Sequence, residues 1–370
     1  MNVLIVGYKG FIGKNLFYHL KENKKFNILL LDKHSSQVEI EDKVCKAELI
    51  FLIFGINKEK LPGYRFKDNY LFTEKICCIL KKNNKKTNII FTSSIQANQN
   101  TSYGKSKIKA ERILLQYKKE TKSKVLIYRL PNIFGKWSKP HYNSAVATFC
   151  YQVARKKKIS LFNKRSKITL LYIDDLIKQF LRKINKKNEE KTFPLVENTY
   201  RISVLELSNL IKSFNKKNKI NLIDNLKNPF VRKLYSTYVS FLPQKDFIYK
   251  IKKNVDHRGE FTEFLNNDNF GQFSCFSILP GKIRGNHYHH TKLEKFLVLN
   301  GKVKFKFIDL SSNLKFSLVV KYNKKRSIVV NTIPGWAHNI KNIGTDTAKL
   351  VVWSNEIFDK NNTDTFNYKF

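Results

Sequence analysis

Four side chains in the last third of the chain have the types and spacing of a metal site. His287 and His289 are two apart, Glu294 follows five residues later, and His338 stands further downstream; the first three lie between the turn glycines Gly281 and Gly301. On an extended strand, side chains two apart point to the same side, so His287 and His289 would face one way and His290 the other. Three imidazoles and a carboxylate with a position left open suit a catalytic zinc or a similar divalent ion. Four of the chain's eight histidines fall between positions 287 and 338.

A second set of residues suits acid–base work at an alcohol or carbonyl. Ser94 ends an apolar run, Tyr103 follows nine residues later, and Lys107 stands four positions further on. The i, i+4 spacing puts phenol and ammonium on one helical face. A nearby ammonium favours the phenolate, so Tyr103 is expected to titrate below its free value of about 10. The Ser94 hydroxyl could hold the same substrate oxygen.

The elements that would carry these residues follow from the hydrophobic pattern. Asn2 to Val6 reads as a buried strand, and Gly7, Gly10 and Gly13 punctuate the turn into an amphipathic helix carrying Phe11, Leu16 and Leu20. Glycines there let the backbone approach a pyrophosphate at a helix N-terminus. A second strand, Asn27 to Leu31, ends at Asp32, where a carboxylate can accept hydrogen bonds from an adenosine ribose. Asp32 argues for NAD and Lys33 could hold a ribose phosphate, so this pair leaves NADH and NADPH both open. Strands at 49–54 and 88–91 alternate with helices, which predicts a doubly wound parallel sheet. A further helix is expected from Ile202 to Phe214, followed by a turn at Asn215 to Lys219. Between 241 and 253 the helical period gives way to short strands, with turns at Pro280-Gly281, Asn300-Gly301 and Pro334-Gly335. The reading is an α/β Rossmann-type domain over 1–245 and an all-β jelly roll over 246–370.

Composition sets the outer bounds. The net charge of +41 raises the question of a nucleic-acid partner, but only 11 of the 70 basic residues are Arg and the lysines are scattered, which argues against one. Such a surface still attracts acidic substrates. Five cysteines without a C-x-x-C pair indicate neither a disulfide framework nor a thiolate site. Met1 runs straight into a strand without signal-peptide features, and the longest apolar run is too short to span a bilayer, so a cytoplasmic protein is expected.

Gly7/Gly10/Gly13, Ser94 and Tyr103-Gly104-Lys105-Ser106-Lys107 resemble the extended short-chain dehydrogenase/reductase family. That resemblance implies a Tyr that exchanges a proton with a sugar oxygen while nicotinamide exchanges hydride. Arg129-Leu130-Pro131-Asn132-Ile133-Phe134-Gly135 and Tyr172-Ile173-Asp174-Asp175 are similar to the family's substrate-side segments, which would put Asn132 against a nucleotide sugar. The loop from Trp137 to Ser144 falls where such enzymes hold substrate. The second half resembles cupins, the double-stranded β-helix form of the jelly roll, with His287, His289, Glu294 and His338 as ligands. Gly281 to His287 also resembles metal-free deoxysugar epimerases, in which the His is a base; Glu294 and His338 tip this chain toward a metal. Over nearly its whole length the chain resembles bifunctional capsule enzymes of UDP-N-acetyl-L-fucosamine synthesis. The resemblance implies C-3 epimerisation of a UDP-2-acetamido-2,6-dideoxy-4-hexulose, NADPH-dependent reduction at C-4 to the L-talo sugar, and a homodimer. Two rivals stand beside it: an enzyme of another nucleotide sugar with a non-catalytic cupin, and a nucleic-acid binder built on a degenerate reductase.

Overall fold

In a computed structural model of the chain, residues 1–56, 66–161, 163–184, 191–218, 227–267, 270–359, 361 and 363–370 are described. They divide into two compact units, Met1–Lys212 with Lys233–Pro243, and Ser213–Arg232 with Gln244–Phe370.

The first unit runs β1 (Asn2–Val6), α1 (Phe11–Lys21), β2 (Asn27–Leu31), α2 (Gln37–Lys46), β3 (Leu49–Leu52), α3 (Asp68–Lys82), β4 (Asn88–Ser94), α4 (Ser102–Thr121) and β5 (Val125–Leu130). These strands form one parallel sheet in the order β2-β1-β3-β4-β5. All four residues of β3 are buried, as a strand covered on both faces requires. One face is sealed by Ile40 and Val44 of α2, Ile76 and Leu80 of α3, and Ala110 and Leu114 of α4. Leu16 and Leu20 of α1 pack on the other face. The strand order reverses between β1 and β3, so a crevice opens at their C-terminal ends, where sheets of this kind bind ligands.

Then come β6 (Asn132–Phe134), α5 (Ala145–Ala154), β7 (Lys167–Tyr172), α6 (Ile173–Ile184), β8 (Thr199–Ser203), α7 (Val204–Asn218) and α8 (Pro229–Val239). Leu176, Ile177 and Phe180 of α6 join α1 on its face of the large sheet. A small sheet forms in the order β6-β7-β8. The helix expected from Ile202 begins at Val204, because Thr199–Ser203 pair antiparallel with β7. A reciprocal cap fixes that start: the Ser203 N–H donates to the Glu206 carboxylate at 3.0 Å and the Glu206 N–H donates to Ser203 Oγ at 3.2 Å. The helix also continues through Asn218, across the turn expected at Asn215 to Lys219, of which Lys219 lies outside the described residues.

The second unit contains β9 (Asn254–Asp256), β10 (Gly259–Asn267), β11 (Gly271–Ile278), β12 (Ile283–Tyr288), β13 (Glu294–Asn300), β14 (Lys302–Asp309), β15 (Lys315–Lys321), β16 (Val329–Thr332), β17 (Trp336–Asn342), β18 (Ala348–Ser354) and β19 (Phe366–Asn367). They form two antiparallel sheets, β16-β13-β18-β11-β10-β9 and β15-β14-β17-β12-β19. Alternate residues of both sheets, including Phe276 and Ile278, Phe296 and Val298, Phe305 and Phe307, and Leu350 and Val352, meet in one core. This apolar floor carries the His and Glu residues. Among the described residues no helix is long and apolar enough to cross a membrane.

Candidate active sites in the two units

At the end of β1 the chain turns through Gly7 at φ 89°, a conformation L side chains rarely adopt. A Cβ on Gly13 would stand 2.3 Å from the Gly7 carbonyl oxygen, so the turn and the first helical turn touch backbone to backbone. Gly10 caps α1 without a side-chain hydrogen bond, and the first turn holds no acidic residue. Free N–H groups at a helix start and a cradle that any Cβ would fill fit a dinucleotide pyrophosphate. Asp32 follows β2, accepts from the His34 N–H at 2.8 Å, and forms an ion pair with Lys9. The Lys9 hydrogen bond and the His34 N–H hold the Asp32 carboxyl below the usual range. Lys33 is exposed. Sequence reading passed over Lys9; its place between Gly7 and Gly10 was the available signal.

Tyr103 lies in the first turn of α4, where Thr101 Oγ1 accepts from the Gly104 N–H at 3.0 Å. Ser94 ends β4, and its hydroxyl acts on the Tyr103 phenol, favouring the phenolate. The structure therefore brings Ser94 and Tyr103 together. Lys107 is buried; its Nζ donates to the Thr92 carbonyl at 3.1 Å and lies 5.9 Å from the Tyr103 ring centroid. The expected lowering of Tyr103 by Lys107 is not found: burial raises its pKa and the Ser94 hydroxyl offsets this in part. Burial also brings Lys107 down to about 8, against a smaller opposing pull from Glu111. Near neutral pH Tyr103 is thus a protonated phenol, the form that can give a proton to a carbonyl oxygen.

Two buried polar residues missed by sequence reading brace this group. Asn69, in the first turn of α3, accepts from the Ile56 N–H at 2.8 Å and donates to the Ile56 carbonyl and to Ser106 Oγ, each at 3.1 Å. Ser106 Oγ in turn donates to the Tyr103 carbonyl at 2.7 Å, tying the loop after β3 to the start of α4. Glu111 accepts from Ser93 Oγ at 2.5 Å and from two Arg129 nitrogens at 3.0 and 2.6 Å. Asn132 is exposed on β6, with its amide 3.5 Å from the Thr169 carbonyl. In the following loop Trp137, His141 and Asn143 all take positive φ, a concentration of backbone strain typical of binding segments. Asp175 and Tyr200 both bond Lys233 Nζ, at 2.5 and 2.8 Å.

In the second unit β12 and β17 bring His287 and His338 opposite each other in register, and Glu294 opens β13 in the other sheet. One ligand atom from each of His287, His289, Glu294 and His338 can lie within 4.8 Å of the others. A bulge between Gly285 and His287 sets the phase of β12, and His289 falls just past its end. His287 and His338 cross edge to face with centroids 4.7 Å apart, and His287 and His289 lie 4.9 Å apart. Glu294 Oε2 is 3.6 Å from His289 Nε2 and 3.3 Å from His338 Nε2, yet among the described residues none of these three buried atoms has a hydrogen-bond partner. Buried polar atoms are normally satisfied, so convergent orphans of this chemistry fit a divalent ion held by three nitrogens and one oxygen. Burial, with a smaller contribution from His338, brings His287 down to about 3 and keeps its imidazole neutral, as a ligand must be. Burial raises Glu294, but His289 and His338 outweigh it and hold the carboxyl well below the ordinary range. His290 turns away, its ring 5.5 Å from Tyr288 and 4.9 Å from Phe366.

The fold and these residues define a nicotinamide-dependent oxidoreductase or epimerase joined to an antiparallel β unit. Residues 3–203 match the model of the NAD dependent epimerase/dehydratase family and residues 254–366 that of the polysaccharide biosynthesis C-terminal domain. The chain belongs to the NAD dependent epimerase/dehydratase family and is an enzyme using a nicotinamide cofactor. It is 38% identical over 366 residues, covering 99% of its length and 98% of the relative, to the UDP-2-acetamido-2,6-beta-L-arabino-hexul-4-ose reductase of Pseudomonas aeruginosa. The crystal structure of the capsular polysaccharide assembling protein CapF from Staphylococcus aureus superposes with a TM-score of 0.90 at 37% identity, covering 100% of both chains. UDP-glucose 4-epimerase of Thermotoga maritima shares the fold of the first part, with a TM-score of 0.55 at 18% identity over 65% of this chain and 98% of that one.

Proposed function

We propose that the chain is a bifunctional nucleotide-sugar enzyme. The second unit epimerises C-3 of a UDP-2-acetamido-2,6-dideoxy-4-hexulose, and the first reduces the C-4 ketone to a UDP-2-acetamido-2,6-dideoxy-L-talose with NADPH. The product would supply UDP-N-acetyl-L-fucosamine for capsular polysaccharide. The observation that carries this reading is the presence of two separate reactive groups on one chain: the Ser94–Tyr103 pair beside a buried Lys107, and the four-residue cluster of the cupin-type unit. The full-length likeness to a relative named as a reductase of a UDP-4-ulose supports the substrate class.

At the first site the turn through Gly7, Gly10 and Gly13 and Asp32 would hold NADPH, whose chemistry when bound is the supply of hydride to C-4. Ser94 holds the carbonyl oxygen in hydrogen-bond reach of Tyr103, and Tyr103, protonated near neutrality, passes its proton to that oxygen as it becomes an alkoxide. Lys107, fixed by the Thr92 carbonyl, keeps a positive charge beneath the site. Asp32 would receive the adenosine ribose, and Lys9 with Lys33 would stand beside its 2′ position, which favours NADPH. Asn132, exposed on β6, would reach the nucleotide sugar.

At the second site His287, His289, Glu294 and His338 would hold a divalent ion, most suitably zinc, whose chemistry when bound is stabilisation of negative charge on an enolate oxygen. The cluster's burial excludes water from this charge and raises its electrostatic worth. A homodimer is the assembly the family resemblance implies.

Product analysis tests the reading. The purified chain with NADPH and the UDP-4-keto-2-acetamido-2,6-dideoxy sugar is expected to yield a single L-talo product inverted at C-3. A product reduced at C-4 with C-3 unchanged would contradict it.

A further inference from the structure

We infer that Asp364 is a positioning residue for the ligand His289, a deduction that rests on the proposed metal reading. Asp364 lies 75 positions beyond His289 and outside the ligand cluster. Its backbone carbonyl meets His289 Nδ1. A carbonyl can only accept, so the proton of the neutral imidazole sits on Nδ1 and the Nε2 lone pair is left toward Glu294. The side chain of the same residue fixes where that carbonyl stands. Asp364 Oδ1 accepts from the His290 N–H at 2.9 Å, and Oδ2 accepts from the N–H groups of Thr291 and Lys292 at 2.8 and 2.7 Å and from Thr291 Oγ1 at 3.1 Å. The carboxylate therefore clamps the three residues after His289 while the carbonyl holds its ring.

The neighbouring backbone reinforces this arrangement. β19 pairs with β12, placing Asn367 opposite His287 and Phe366 opposite Tyr288, and the Tyr368 N–H donates to the Asn286 carbonyl at 2.8 Å. The stretch from Asp364 to Tyr368 thus runs alongside the ligand strand from Asn286 through His289. Partners of this kind fix a ligating histidine's tautomer and ring orientation, and losing one lowers metal affinity by about 10- to 100-fold.

The test titrates ion-free protein with Co(II) against a chromophoric chelator, comparing the natural chain with Asp364→Ala and Asp364→Asn and checking folding by near-UV circular dichroism. Asp364→Ala should bind Co(II) about 10- to 100-fold more weakly and alter its visible d–d spectrum, and Asp364→Asn, which keeps one accepting oxygen, should fall between the two. A folded Asp364→Ala chain that binds within about 3-fold of the natural one, even if its melting temperature drops, overturns the inference by leaving Asp364 only a structural role. Should Asp364→Ala fail to fold, Asp364→Asn decides: weakened binding supports the inference and unchanged binding overturns it. A natural chain that binds no Co(II) overturns the metal reading itself, and this inference with it.

Discussion

If the cluster of His287, His289, Glu294 and His338 is a metal site, removing one ligand must uncouple the second unit's stability from divalent ions. An ion that binds only the folded state stabilises it by RT ln(1 + [L]/Kd), about 2.7 kcal/mol at 100-fold excess over Kd. A β unit of this size unfolds with an entropy of roughly 0.3 kcal/mol/K, so the melting temperature should rise by about 9 °C. His338→Ala removes an imidazole whose two nitrogens have no hydrogen-bond partner among the described residues, and Glu294→Gln keeps the shape of its side chain while removing the charge. Each variant should compress the shift to below about 2 °C at the same ion concentration, because the loss of a ligand moves the ion far below saturation. Differential scanning calorimetry of chelator-treated protein with and without zinc reads this directly, and a transition of the first unit that responds to NADPH serves as the internal control. An unshifted melting curve for the natural chain, or an undiminished shift in both variants, would refute the reasoning.

Three further outcomes follow from the geometry. Tyr103→Phe removes the proton donor but not the ring, so C-4 reduction should fall by about 10²- to 10⁴-fold while exchange at C-3 persists; loss of both in steady-state and exchange assays would contradict two separate sites. Lys107, at about 8 when folded against an ordinary value of 10.5, contributes stability that is fully present above 10.5 and lost as pH falls through 8. Stability should therefore rise with pH across that window, by up to about 3 kcal/mol, and urea titrations of Lys107→Met should show a flatter slope there. Glu111→Ala leaves Arg129 and Ser93 without their buried partner and should cost about 3–5 kcal/mol in denaturant unfolding, with a cost under 1 kcal/mol refuting the bracing role.

The pattern of legibility follows how local each signal is. Gly7, Gly10 and Gly13 were readable because a tight turn against a helix start demands small residues in consecutive sequence. The periodicity that announced the doubly wound sheet is likewise local: β3 reads as an unbroken apolar run because helices cover both its faces. His287, His289 and Glu294 lie within eight positions, and β17 adds His338 by strand pairing. Long-range partners left no such trace. Lys9 meets Asp32 only once β1 and β2 lie side by side, Asn69 meets Ser106 across 37 positions, and Asp364 meets His289 across 75. The titration of Tyr103 was misjudged for the same reason. Spacing gave the shared helix face, but the Thr92 carbonyl that holds the ammonium belongs to β4, outside the helix. At β8, Tyr200 and Ile202 suited either element, and the Ser203–Glu206 cap decided in favour of a strand ending there.

The most direct test is deuterium uptake at C-3 of the UDP-4-keto sugar in deuterated water without NADPH, followed by mass spectrometry and NMR. The account predicts uptake by the natural chain and by Tyr103→Phe, and its loss when His287, His289 and His338 are replaced together. Uptake that survives the triple replacement, or that requires NADPH and Tyr103, would contradict an epimerising site separate from the reductase.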